Sequence, residues 1–218
     1  MRRTFLFLTL CVVVMSTMAL AQTAIFPVAA SSPPVMTGNE KVGIAAVVRG
    51  SVQLVRGGQV GRVVSSGEEI YLGDEVSTDA KGNLQILLLD ETAFTVGPSS
   101  TIMIDKFIYD PATDAGEVNA RILKGTFRFI SGKIAHKKPE NMEVELPAGT
   151  IGIRGTMAMG SVNGMHSLVV LTGPGDKNNT GSKKGEIIVS NEVGSETKSV
   201  NIANLAVGIF SSCISLLA

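Results

Sequence analysis

The sequence predicts an all-β fold, a β-solenoid-like roll or a sandwich of many short strands, and three observations predict it. Glycine is abundant, 24 of 218 residues, and follows no collagen-like period. Val, Ile and Thr recur throughout while Trp is absent, a composition that favours pleated, half-buried backbone over helix. From Lys41 onward, apolar runs of four to eight residues are separated by turn residues, the pattern of short strands.

The expected strands lie at 43–49, 52–56, 61–64, 85–89, 93–96, 101–105, 118–123, 126–130, 142–146, 150–154, 157–162, 166–171, 186–190 and 199–202. Gly57-Gly58 reads as a hairpin turn between the second and third. Asp90-Glu91-Thr92 falls between two apolar strands, where the Asp90 carboxylate is expected to accept backbone N–H groups. Runs such as 86–89 and 167–171 are apolar on both faces, which predicts protein cover on both sides. No helix of ordinary length is needed between Lys41 and Ser199, and 173–185 reads as a polar, glycine-rich loop.

Ahead of these runs, Arg2 and Arg3 precede an apolar stretch at 5–15, and Ala19-Leu20-Ala21 offers a small-x-small pattern before Gln22. Residues 1–21 are therefore expected to be a signal peptide cleaved after Ala21, an uncleaved anchor being the alternative. The proline-containing, aperiodic stretch 22–40 is expected to be a flexible linker. Residues 41–205 then form the β-domain and 206–218 an apolar tail, expected as a last core strand with a frayed end. Cleavage would leave the single thiol of Cys213, expected to be inert packing, so no disulfide holds the fold. The expected location is the periplasm or the cell surface.

Lys plus Arg and Asp plus Glu are equal at 19 each, so no net charge draws the chain toward nucleic acid. The two histidines, His136 and His166, have no partner at ligand spacing, and Asp74, Asp79, Asp90 and Asp105 stand singly. Neither a metal nor a cofactor is expected. No Gly-x-Ser-x-Gly elbow or phosphate loop is present, so no enzyme activity is expected and no catalytic residue is named. The basic run 133–138 reads as a solvated loop before Pro139.

Three blocks, taken in order, resemble the FecR domain. They are GEEIYLGDEVS at 67–77, KGNLQILLLDETAFTVGPSSTIMID at 81–105 and LPAGTIGIRGT at 146–156, the last being the most specific. The resemblance implies family-motif positions at Gly73, Asp74, Asp90, Thr92, Gly97, Pro98, Gly152, Arg154, Gly155 and Thr156. These read as fasteners of the fold, with a direct ligand site as the alternative. Arg154 lies between apolar residues and needs a partner, for which Asp74, Asp90 and Glu91 are the candidates. After Thr156 the family's acidic and aromatic residues are replaced by Met157-Ala158-Met159.

The resemblance implies an exported, non-enzymatic binding, sensing or scaffold module of the cell envelope, with an envelope protein or glycan as partner. FecR regulators join this domain through a membrane helix to a cytoplasmic segment that contacts a sigma factor. Here a cleavable signal replaces both, and an uncleaved anchor would leave only three residues facing the cytoplasm, so no sigma-factor contact is expected. The alternative is a structural envelope or matrix component that self-associates through strand edges or the apolar tail, which also offers membrane contact.

Overall fold

The computed structural model describes residues 40–154, 157–173, 185–191, 197–200, 206–210 and 213–217. The expected signal peptide and all but the last residue of the expected linker lie outside them, as does most of the loop at 173–185. In chain order the strands are β1 Lys41–Arg49, β2 Val52–Val55, β3 Arg62–Val63, β4 Glu69–Tyr71, β5 Glu75–Thr78, β6 Asn83–Leu88, β7 Ala93–Val96, β8 Thr101–Asp110 and β9 Ala115–Ile130. A five-residue helix, α1 at Lys133–Lys137, follows. Then come β10 Met142–Leu146, β11 Gly149–Arg154, β12 Met157–Asn163, β13 His166–Leu171, β14 Glu186–Asn191, β15 Thr197–Val200, β16 Ala206–Phe210 and β17 Ile214–Leu217.

Strand pairing sorts these elements into two layers. The first runs β4, β1, β6, β7, β9, β12, β13, β16, β17, and every pair in it is antiparallel. The second runs β3, β2, β5, β8, β9, β10, β11, β14, β15, with a parallel pair between β9 and β10. The all-β class expected from the sequence is thus the class observed, in a two-layer, unclosed form.

Alternation along each strand decides what goes inside. In β6, Leu84, Ile86 and Leu88 are buried while Asn83, Gln85 and Leu87 face out. In β10, Met142, Val144 and Leu146 are buried between two outward glutamates. The inward rows of both layers merge into one hydrophobic cluster. Phe94, Phe127 and Phe129 form its aromatic part, with ring centroids 6.1 and 6.3 Å apart; burying each such ring contributes about 2 kcal/mol.

Cover on both faces, expected for the most apolar runs, is not observed. Leu87 on β6 and Leu168 on β13 are each 38% exposed, because a two-layer packing buries one face of each sheet and leaves the other outermost. The expected tail is also more ordered than a frayed end: β16 pairs with β13 and β17 with β16. Cys213 sits in the turn of that hairpin and is exposed rather than packed.

Strand β9 belongs to both layers. Its residues 115–124 pair with β8, and 125–130 pair with β12. The sequence suggested two strands here, at 118–123 and 126–130, and the break between them is the point of crossing rather than a loop. Gly125 stands there with φ +92°, and a Cβ on it would lie 2.1 Å from Ser100 Oγ and 2.5 Å from Ser100 Cα. The Ser100 hydroxyl accepts the Thr126 N–H at 2.8 Å, locking the crossing to the start of β8.

Four strands end the layers. β4 carries Glu69, paired with Lys41 at 2.8 Å; β3 carries Arg62, paired with Glu68; β15 carries Lys198. Charges on edge strands hinder pairing with other chains.

Replacing Gly125 by Ala adds both a left-handed-backbone cost and a clash at Ser100. It is expected to lower unfolding free energy by about 3 kcal/mol, measured by urea denaturation; a loss below about 1 kcal/mol would mean that the crossing is not pinned there.

Candidate functional site

Six of the family-motif residues, Gly73, Asp74, Asp90, Thr92, Gly97 and Pro98, fall into three separate fasteners. The first is built on Asp74, which follows Gly73 in the turn between β4 and β5 and is completely buried. Its carboxylate accepts Arg56 Nε and Nη2, both at 2.6 Å, and the Tyr71 N–H at 2.9 Å. The Arg56 guanidinium lies 4.2 Å above the centre of the Tyr71 ring, a stacking that Arg favours. The Asp74 carboxylate is the main reason the Arg56 pKa is raised.

The second fastener joins the β6–β7 turn to the end of β9. Asp90 and Thr92 are fully buried. Asp90 accepts the Thr92 N–H at 3.1 Å and the Thr92 hydroxyl at 2.7 Å. Thr92 Oγ1 in turn accepts the Gly132 N–H at 3.0 Å, and the Asp90 carbonyl accepts the Lys133 N–H at 2.8 Å. A Cβ at Gly132 would lie 2.3 Å from that carbonyl. The basic run expected as a solvated loop is instead α1, with Ile134 and Ala135 buried and Lys133 paired with Glu91 at 2.7 Å.

The third fastener closes the β7–β8 turn. Thr78 Oγ1 donates to the Gly97 carbonyl at 2.6 Å and accepts the Ser100 N–H at 3.0 Å, and the Gly97 N–H donates to the Thr126 carbonyl. Pro98 occupies the turn, with its carbonyl 3.0 Å from the Ser100 hydroxyl.

Gly152 lies on β11 opposite Ile188. Only the backbone of Arg154 is described, paired in register with Glu186, and Gly155 and Thr156 lie outside the described residues. The acids proposed as partners of Arg154 have other partners: Asp74 binds Arg56, Asp90 binds Thr92 and Glu91 binds Lys133. Arg56, Ser100, Gly125 and Gly132 were not singled out from the sequence. Their common signal, a residue that holds a turn from a distant strand, has no local pattern.

The outer faces of the two layers differ in a way that points to a site. Across the second layer, one register row reads Val55, Glu75, Met103, Arg121, Glu145, Thr150, Ser190, Thr197. It is polar, and Arg121 is held by Glu145 at 3.1 Å and faces Asp105 at 3.4 Å. Across the first layer the matching row reads Val47, Gln85, Thr95, Arg128, Met159, Val170, Ala206, Leu217.

That second row is largely apolar. Met159 is 41% and Leu217 49% exposed. A groove of about 320 Å³ opens on it, lined by Thr95, Thr126, Arg128, Met159, Leu168 and Val170 among others. Gly97 and Gly160 also line it. A Cβ on Gly97 would strike Thr126 Oγ1 at 2.1 Å, and one on Gly160 would strike the Phe127 ring at 2.6 Å. The third fastener therefore also shapes one end of the groove.

The family model described as FecR protein matches residues 74–174. That stretch of the chain is similar to a FecR domain. The matched span takes in the second and third fasteners, Asp74 of the first, and the lining of the groove.

Two crystal structures of a Parabacteroides distasonis protein described as a "putative anti-sigma factor" are similar to the chain. Each is 12% identical and is matched over 66% of this chain and 57% of that one, with TM-scores of 0.45 and 0.44. The chain thus spans 57% of the length of those relatives. Curated proteins give no match. The expectation of an envelope protein or glycan as partner, with no sigma-factor contact, is contradicted by these neighbours, which are themselves described as anti-sigma factors. The exclusion rested on residues 1–21, which lie outside the described residues.

On the polar face, Asp105 lies in a β-bulge of β8. Burial pushes its carboxyl above the ordinary value, Arg121 opposes the shift and Glu145 adds to it. Its Oδ2 receives no hydrogen bond. A carboxyl that holds its proton more tightly when folded loses stability as pH rises from the unfolded toward the folded value. Asp105→Asn is therefore expected to raise the thermal midpoint at pH 7, with the gain vanishing below about pH 3; an equal gain at both pH values would contradict this origin.

Proposed function

We propose that the chain is an exported, non-enzymatic sensing module of a FecR-type regulatory system, and that it receives its signal on the groove face of the first layer. The observation that carries the reading is the contrast between the outer faces within a matched FecR domain. On one face the Arg121 guanidinium is held by carboxylates, and the other presents an apolar groove whose Arg128 guanidinium meets no carboxylate among the described residues. Exposed apolar surface of that kind marks a place where something else binds. Export is supported by Arg2, Arg3, the apolar stretch at 5–15 and the Ala19-Leu20-Ala21 pattern. The assigned output is transcription by a sigma factor, as in the FecR regulators that the three sequence blocks resemble.

Deleting the gene is expected to change a sigma-factor-dependent set of transcripts at least severalfold. The wild-type chain should restore that set, and Met159→Asp, an exposed substitution compatible with folding, should not. An unchanged transcriptome after deletion would overturn the regulatory reading; full rescue by Met159→Asp would move the signal away from the groove.

A further inference from the structure

The groove offers a guanidinium that meets no carboxylate among the described residues, with hydroxyl groups beside it. Arg128 is paired in register with Thr95 on β7 and with Met159 on β12, and Thr126, two residues before it, is paired with Ser161. The hydroxyls of Thr95, Thr126 and Ser161 all line the groove, and no hydrogen bond joins them to any described residue. The Arg128 guanidinium faces the Met157 thioether instead of a carboxylate. By contrast, Arg56, Arg62 and Arg121 each meet a carboxylate. A guanidinium beside apolar residues is best satisfied by a planar anion such as a carboxylate.

From this polar end an apolar track leads away across the strands. Met159, Val170, Ala206 and Leu217 occupy one register row on β12, β13, β16 and β17, with Leu168 beside it. Three strand spacings of about 4.8 Å make the track about 14 Å long. No charged residue lies in this part of the row. The groove volume of about 320 Å³ is that of a small-ligand site.

We propose that this groove binds a single-chain anionic amphiphile, a free long-chain carboxylate, with its head on Arg128 and the hydroxyls of Thr95, Thr126 and Ser161 and its chain along Met159, Val170 and Leu217. The inference names the ligand class for the sensing face proposed above and rests on that reading. Charge complementarity selects the sign of the head group. The absence of a neighbouring acid removes the competitor that neutralises Arg121 on the opposite face.

The test is titration calorimetry of the full chain with dodecanoate below its micellar concentration, with dodecyltrimethylammonium as the control of opposite charge. Saturable binding of dodecanoate alone is expected, at least tenfold weaker in Arg128→Gln and largely retained in Arg128→Lys. Leu168→Gln, an exposed substitution on the track, should weaken binding with the head contacts intact. Equal binding of both amphiphiles, or no change in Arg128→Gln, overturns the proposal. So does co-flotation with phosphatidylglycerol vesicles without dodecanoate binding, which would make the face a membrane contact. If dodecanoate does not bind while Met159→Asp still abolishes the transcriptional response, the ligand class fails and the sensing face survives. If both results are negative, both readings fail.

Discussion

The structure depends on the crossing of β9 from one layer to the other. A single 16-residue strand supplies a central member to each sheet. The inward rows of the two layers are therefore fixed relative to one another by covalent chain as well as by packing. The cost is a sharp change of direction, met by Gly125 in left-handed backbone and by the Ser100 hydroxyl that takes the Thr126 N–H. The three fasteners are arranged around this constraint. One holds the turn into β5, one ties the β6–β7 turn to the end of β9, and one joins the β7–β8 turn to the residues just past the crossing.

A two-layer architecture has two outer faces, and this chain treats them differently. The second layer exposes Glu75, Arg121, Glu143 and Glu145, and its Arg121 is held between the carboxylates of Glu145 and Asp105. The first layer exposes methionine, valine and leucine around an arginine that meets no carboxylate among the described residues. Exposed ion pairs contribute little to stability, so the second face is chiefly a solvated one. The departure of Met157-Ala158-Met159 from the family's acidic and aromatic residues falls on β12, where Met159 faces the groove. The change alters the surface on which a signal would be read and leaves the core row through Ala158 intact.

Much of the fold was legible because strand propensity, turn glycines and alternation are local. β7, β10 and β13 lie where the apolar runs place them, and the Gly57-Gly58 turn links β2 to β3. β4 and β5 were visible only inside the first family block, and β17 not at all, since Ile214–Leu217 has the apolar content of a tail rather than an alternating pattern. The buried face was misjudged where outward residues are themselves apolar, as at Leu87 and Leu168, because sequence does not say which apolar face is covered. Asp74, Asp90 and Thr92 stood out as motif residues, while their partners Arg56 and Gly132 come from 18 and 40 residues away. The groove was invisible for the same reason. Thr95, Arg128 and Met159 become neighbours only through strand register.

Native-state hydrogen exchange of the full chain, followed amide by amide along β9, tests the central claim most directly. If the crossing makes the two layers one cooperative unit, protected amides at 116–123 and at 126–130 open with the same free energy, equal to that of global unfolding. Opening of one half at a free energy several kcal/mol below the other would contradict the account, since the layers would then fold as separate units joined by a passive linker.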